Sequence, residues 1–278
     1  SAGSTIAFAM ECYEKGILNR EKTGGVELLF GNGELVVALI EKIARREGVG
    51  DLLSEGSKAL SEKLGQGSAH FAMHVKGLEL PAYDPRAAKI TGLGYVTANR
   101  GGDHITGYVQ GPTFIDAPFL LVDNSEIKDP FVADPEEAKV LVDLENALTM
   151  FDAMGSCKFM GLLLTAQDYL DLLNSATGWN LDVGQFRQTG ERIYNLIRAF
   201  CVREGISRQS DTLPPRLMED PLPGGPAEGM VIEEETLEKM KDAYYDFRGW
   251  DRGTGKPTPD KLRELGLEGL IADLWERG

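Results

Sequence analysis

The sequence predicts an all-α fold, irregular and multihelical, in two helical parts. Three observations predict it. Apolar residues recur at helical spacing along most of the chain. Glycine, proline and small polar residues stand where such segments should start and stop. Alternation of the kind a strand requires shows up in one stretch, residues 70–80.

Taken in order, residues 5–17 form a first helix. Residues 26–46 contain a second, with Leu35, Leu39, Ile40 and Ile43 on one face and Gly48 and Gly50 ending it. A third spans 52–64 and stops at Gly65. Residues 70–80 read as extended, and Pro81 and Pro85 bracket a turn. A short helix over 87–98 leads into an irregular stretch over 101–125. Asp134 caps a long helix with Pro135 as its first residue. Its apolar stripe is Leu141, Leu144, Leu148 and Phe151, and Gly155 breaks it after Met154. Helices follow over 166–176, closed by Gly178, and over 183–203, before Gly205. Residues 213–229, with Pro214, Pro215, Pro221, Pro223 and Pro226, read as a loop. Helices over 236–247 and 261–274 close the chain. The lapse of helical signal near Met73 divides it into 1–73 and 74–278.

Composition narrows the function. The 278 residues are 42% hydrophobic, enough for a buried core, and 29 basic against 44 acidic side chains leave a net charge of -15. Such a chain lacks the basic surface that nucleic acid requires and is repelled by an anionic membrane surface. No apolar run is long enough to span a bilayer, and the first residues lack the basic start of a signal peptide. A cytoplasmic protein is expected. Cys12, Cys157 and Cys201 are too widely spaced for a zinc or dithiol motif, and suit a reducing compartment. Cys12 and Cys201 fall in apolar helical patterns and read as buried.

Several small patterns carry little chemistry. His70 and His74 share a helix face only if their segment is helical, and it reads as extended. Gly253-Thr254-Gly255-Lys256 is half a phosphate loop, followed by proline instead of Ser or Thr. Two segments offer more. Asn99-Arg100-Gly101-Gly102-Asp103-His104 sets a planar cation and an imidazole beside two glycines, where backbone can approach a large ligand. Asp152-Ala153-Met154-Gly155-Ser156-Cys157 puts a carboxylate in a last helical turn, where the helix dipole disfavours it unless it has a donor to bind. Pattern alone favours a plainer reading of the second segment, as a helix, a glycine stop and a buried cysteine.

Both segments resemble the aldehyde ferredoxin oxidoreductase family, and the likeness runs over essentially the whole chain. It is carried by Ala7-Phe8-Ala9-Met10-Glu11, Tyr13-Glu14-Lys15-Gly16, Ile43-Ala44-Arg45-Arg46-Glu47-Gly48 and the nonapeptide Leu78-Glu79-Leu80-Pro81-Ala82-Tyr83-Asp84-Pro85-Arg86. Gly92-Leu93-Gly94-Tyr95, Gly190-Glu191-Arg192-Ile193, Asp211-Thr212-Leu213-Pro214 and Arg248-Gly249-Trp250 extend it. The resemblance implies the second and third domains of an enzyme that oxidises aldehydes to carboxylates and passes electrons to ferredoxin. Its cofactors are tungsten, in some members molybdenum, held by two pterins (a bis-molybdopterin), and a [4Fe-4S] cluster. By the same resemblance Cys157 matches a cluster cysteine and Asp152 hydrogen-bonds a pterin. Ser156 contributes backbone, where the family usually has leucine. Arg100 contacts cofactor, and His104 is a proton donor or substrate hydrogen-bonding group near the metal.

Departures shape the expectation. The CxxCxxxC run and the first pterin motif are absent. The chain therefore reads as a C-terminal fragment, inactive without its own N-terminal domain, with both cofactors expected in the full-length protein. Thr106 stands where matched members have a cofactor-binding lysine, which removes a charge near phosphate. Val37 stands where some members place a histidine on a metal bridging a homodimer, and valine cannot ligate. Lys42, Arg45 and Arg46 are a basic patch that could face ferredoxin or simply water. Relatives that reduce aromatic acyl thioesters, and a non-catalytic helical interaction domain, are the alternatives.

Overall fold

The computed structural model describes residues 1–109 and 129–276. It is all-α. Among the described residues the only strands are β1 (His74–Val75) and β2 (Leu78–Glu79), an antiparallel hairpin. The expected irregular stretch over 101–125 is described as far as residue 109; the rest of it lies outside the described residues.

Helices α1 (Ala2–Glu14), α2 (Gly33–Arg45), α3 (Val49–Leu53) and α4 (Gly56–Leu64) gather around one buried core that includes Phe8, Cys12, Leu39, Leu53, Leu60 and Phe71. Asn32 caps α2 by accepting from the Leu35 amide. Leu39 faces this core, but Ile40 is exposed, so the apolar stripe is narrower than its sequence pattern. The single helix expected over 52–64 is two. Its break is made at a distance. Gly56 takes φ +84°, and the Glu79 carboxylate accepts from the Ser57 amide (2.8 Å) and hydroxyl (3.1 Å), capping α4 from the hairpin. An acid at a helix start is favoured by the dipole.

Residues 70–80 are extended only in part, because His70 lies in a 3-10 turn, Ser68–Phe71. Lys76 and Gly77 both have positive φ, the tight hairpin turn. A lysine tolerates that conformation here because its ammonium is buried on partners. It pairs with Asp211 at 2.7 Å and donates to the Val96 carbonyl and to the Ala98 carbonyl (3.0 Å).

The second core centres on α6 (Ala138–Met154), entered through an Asp134-capped 3-10 turn at Pro135–Glu137. Leu141, Leu144, Leu148 and Phe151 are buried on it as expected. Around it lie α5 (Lys89–Thr97), α7 (Ala166–Thr177), α8 (Val183–Arg203) and α10 (Glu234–Arg248). Capping boxes at Thr165 and Asp182 start α7 and α8. Inside, Glu145 accepts from Tyr194 (2.9 Å), Tyr244 (2.6 Å) and Arg248 (2.5 Å), all fully buried.

The proline-rich loop holds a short helix, α9 (Pro215–Glu219), because Pro215 suits a first helical turn and Leu217 is buried by it. The helix expected over 261–274 is broken into α11 (Pro259–Glu264), a 3-10 turn (Glu268–Leu270) and a π turn (Ala272–Glu276). Leu262 and Leu274 share one core cluster with Ala199. On a straight helix they would stand about 18 Å apart along the axis.

Candidate functional site

Every residue of α5 is buried, and its last carbonyls are held by Lys76, so the loop from Asn99 leaves a rigid base. The two glycines do not open space for a ligand. A Cβ on Gly101 (φ +104°) would lie 2.4 Å from the Val75 carbonyl oxygen, and one on Gly102 would lie 2.8 Å from that of Leu78. They let the loop lie flat on the hairpin, where the Gly102 amide donates to Val75. Asp103, almost buried, then organises the turn. It accepts from the Ile105 amide (2.7 Å) and the Thr106 hydroxyl (2.9 Å) and pairs with Arg100 at 3.0 Å. Arg100 keeps 69% of its side chain exposed, so its guanidinium still faces outward. The half-buried His104 ring lies 5.3 Å from that of Tyr83. Tyr83 also lines a cleft of about 330 Å³ with Phe8, Phe71 and Arg216.

At the end of α6, Gly155 takes φ +69° and the Ser156 amide returns to the Phe151 carbonyl. The plainer reading of this segment fails at the cysteine, because Cys157 is exposed. Cys12 is buried, and burial pushes its thiol up to about 12. Cys201 is half-buried, less enclosed than its pattern suggested.

The donor for Asp152 is Lys158, at 2.9 Å. The same ammonium donates to the Ile105 carbonyl at 3.2 Å. One lysine therefore ties the Asp152 segment to Ile105, the residue that follows the Asn99–His104 segment. Sequence reasoning missed it; the available signal was a cation just past a helix C-terminus, where the dipole welcomes one.

Burial lowers the proton affinity of His104 below the usual histidine range; Asp103 opposes this and Lys158 adds to it. The folded value lies below the unfolded one. The stabilising contribution is therefore complete above about pH 6.5 and is lost as pH falls toward the folded value. Lys158→Met is expected to raise the pKa of His104, followed by NMR titration with His70 and His74 as internal references. An unmoved His104 would show that Lys158 exerts no field on it.

The buried Asn99 Oδ1 and Tyr169 hydroxyl have no hydrogen-bond partner among the described residues. The exposed thiol of Cys157 and the outward guanidinium of Arg100 are the groups that could meet a polar, sulfur-bearing ligand. Among the described residues no three His, Cys, Asp or Glu side chains gather as a metal-binding group. His70 instead meets Asp220 at 3.1 Å, and Lys256 caps the Leu274 carbonyl at 2.7 Å. Arg45 pairs with Glu41, and Arg46 with Asp51 and Glu55, all exposed. No helix among the described residues is long and apolar enough to cross a membrane.

The chain is similar to known proteins over most of its length. Residues 1–267 match the family model for aldehyde ferredoxin oxidoreductase, domains 2 and 3. A tungsten-containing aldehyde ferredoxin oxidoreductase of Pyrococcus abyssi is 42% identical over 275 residues, covering 98% of this chain and 43% of the relative. One from Pyrococcus horikoshii is 42% identical over 272 residues, covering 96% and 43%. The chain thus spans less than half the length of these relatives. Among solved structures, the active-site complex BamBC of benzoyl coenzyme A reductase, in complex with 1,5-dienoyl-CoA, superposes with a TM-score of 0.71. It covers 100% of this chain and 45% of that one at 24% identity, a likeness of fold.

Proposed function

The chain belongs to the aldehyde ferredoxin oxidoreductase family, as its domains 2 and 3, and from that premise we propose that it is the C-terminal part of a tungstopterin iron–sulfur enzyme. That enzyme oxidises aldehydes to carboxylic acids with ferredoxin as acceptor, and needs its N-terminal domain for both cofactors. The observation that carries the reading is that Lys158 ties Asp152 to Ile105, the residue after the Arg100–His104 segment.

Such a group supplies two-electron chemistry at tungsten or molybdenum and one-electron transfer at the cluster. The residues divide the remaining work. Cys157, exposed, offers the thiolate. Asp152, also exposed, exchanges Lys158 for pterin N–H donors, and Ser156 presents backbone beside it. Arg100 turns a planar cation to the cofactor, held by Asp103. Thr106, committed to Asp103, contributes a hydroxyl contact in place of a charge. His104, beside Tyr83, is a proton donor or hydrogen-bonds substrate. The domain division near Met73 is part of the reading; it is supported by buried clusters that end at Ala72 and begin at Val75. A homodimer formed across α2 would meet exposed Val37, not an imidazole.

The test is metal content of the full-length protein purified without oxygen. About one tungsten or molybdenum and about four irons per chain are expected, with iron falling in Cys157→Ser. Absence of all three metals after growth with tungstate would leave a non-catalytic helical interaction module.

A further inference from the structure

Lys89 opens α5 and is buried, 7% exposed. Its Nζ meets two acceptors, the Arg86 carbonyl at 3.2 Å and the Val231 carbonyl. Among the described residues no carboxylate pairs with it. The other lysines with nearly buried side chains do have one. Lys76 sits 2.7 Å from Asp211, and Lys241 sits 2.5 Å from Glu238. The two acids that act on Lys89 are held off: Asp84 is engaged by Arg86 at 2.7 Å, and Glu233 is exposed at the start of α10.

A lone buried ammonium is costly, and a lysine sheds its proton to avoid that cost. The position adds to this, since the first turn of a helix is the positive end of its dipole. Burial accordingly lowers the proton affinity of Lys89; Glu233 and Asp84 oppose this and Arg86 adds to it. The hydrogen bonds suit a neutral amine, whose two N–H groups match the two carbonyls and leave the lone pair over. Lys89 also lines a cavity of about 440 Å³. Phe131, Ala133 and Met230 give that cavity an apolar wall, and Glu233 is its one acidic side chain.

We propose that Lys89 is a nucleophilic amine that captures uncharged aldehydes as an imine in this cavity. The cavity shares no residue with the Arg100–Cys157 site, and the proposal does not depend on the functional reading above. Nζ adds to the carbonyl carbon, and the C=O π pair moves to oxygen. That oxygen takes both amine protons and leaves as water, so C=N forms with no oxidant or reductant consumed. An apolar wall and a nearby carboxylate favour an uncharged carbonyl compound over an anionic one.

The experiment is reductive trapping on the full-length protein purified without oxygen, with butanal and cyanoborohydride at pH 7 and no electron acceptor. Peptide mass spectrometry reads the alkylation rate at each lysine. Lys89 is expected to react about tenfold faster than the exposed Lys63 and Lys239, because the free-amine fraction at neutral pH grows as the ammonium becomes more acidic. In urea that preference is expected to vanish, since unfolding returns Lys89 to water. Glyoxylate, an aldehyde that carries a carboxylate, is expected to prefer Lys89 less than butanal does. Lys89 reacting no faster than Lys63 in the folded protein, or favoured equally in urea, would overturn the proposal. Equal preference from both aldehydes would overturn the uncharged class. Metal content enters none of these outcomes, so failure of the tungstopterin reading is told apart from failure here.

Discussion

Asp211→Ala is expected to destabilise the protein by about 3–5 kcal/mol, the cost of leaving buried charges uncompensated. Asp211 is fully buried; it pairs with Lys76 at 2.7 Å and Arg198 at 2.7 Å and accepts from Tyr245. Burial alone would raise its pKa, but the two cations hold it below the ordinary aspartate value, so it is ionised at neutral pH. Removing it strands one ammonium and one guanidinium in the core. Adding Lys76→Met to Asp211→Ala should return part of the loss, because one stranded charge goes with it. Denaturant titration of both singles and the double reads this directly. A double variant as unstable as the sum of the singles would show that the pair is not coupled. The consequence reaches the site, because Lys76 also holds the Val96 and Ala98 carbonyls just before Asn99. Amide exchange over 99–104 should therefore quicken in Lys76→Met.

Gly190→Ala is expected to cost about 3 kcal/mol, although alanine is the better helix former by roughly 1 kcal/mol. The added Cβ would lie 2.0 Å from the Asn146 carbonyl oxygen and 2.9 Å from its carbon, so α6 and α8 must move apart. Tyr194, one turn on, bonds Glu145, and Asn146 accepts from Arg248 at 2.5 Å, so the separation disturbs the buried network as well. Met150 Cγ, at 3.1 Å, is the softer contact. Met150→Ala in the G190A background should not rescue thermal stability; full rescue would mean that the side chain, not the backbone, sets the limit.

Among the helices, those legible in advance carry their instructions within a few residues. Asp134 and Pro135 start the α6 segment and Gly155 stops it; Thr165 and Asp182 start α7 and α8 through contacts three residues away. The all-α class followed from these signals, and the site segments were visible because glycine, charge and cysteine crowd together in them. The family likeness rests on the same short motifs.

Most of what failed did so where a partner is remote in sequence. The break before α4 depends on Glu79, more than twenty residues away, and the break after α11 depends on where Ala199 lies. Gly101 and Gly102 read as room for a ligand, yet the hairpin fills that room. Lys158 and Tyr169 carried no motif at all. Caps and turns are satisfied by backbone groups one helical turn away, so the sequence by itself determined the helices that carry such local signals and the residues that bear chemistry. The contact of Lys158 with Ile105, the burial of Asp211 among cations and the unmet Tyr169 hydroxyl arise when segments distant in sequence pack together. Only the tertiary structure decided those, because the energy of a buried charge or donor depends on neighbours that the local sequence does not contain.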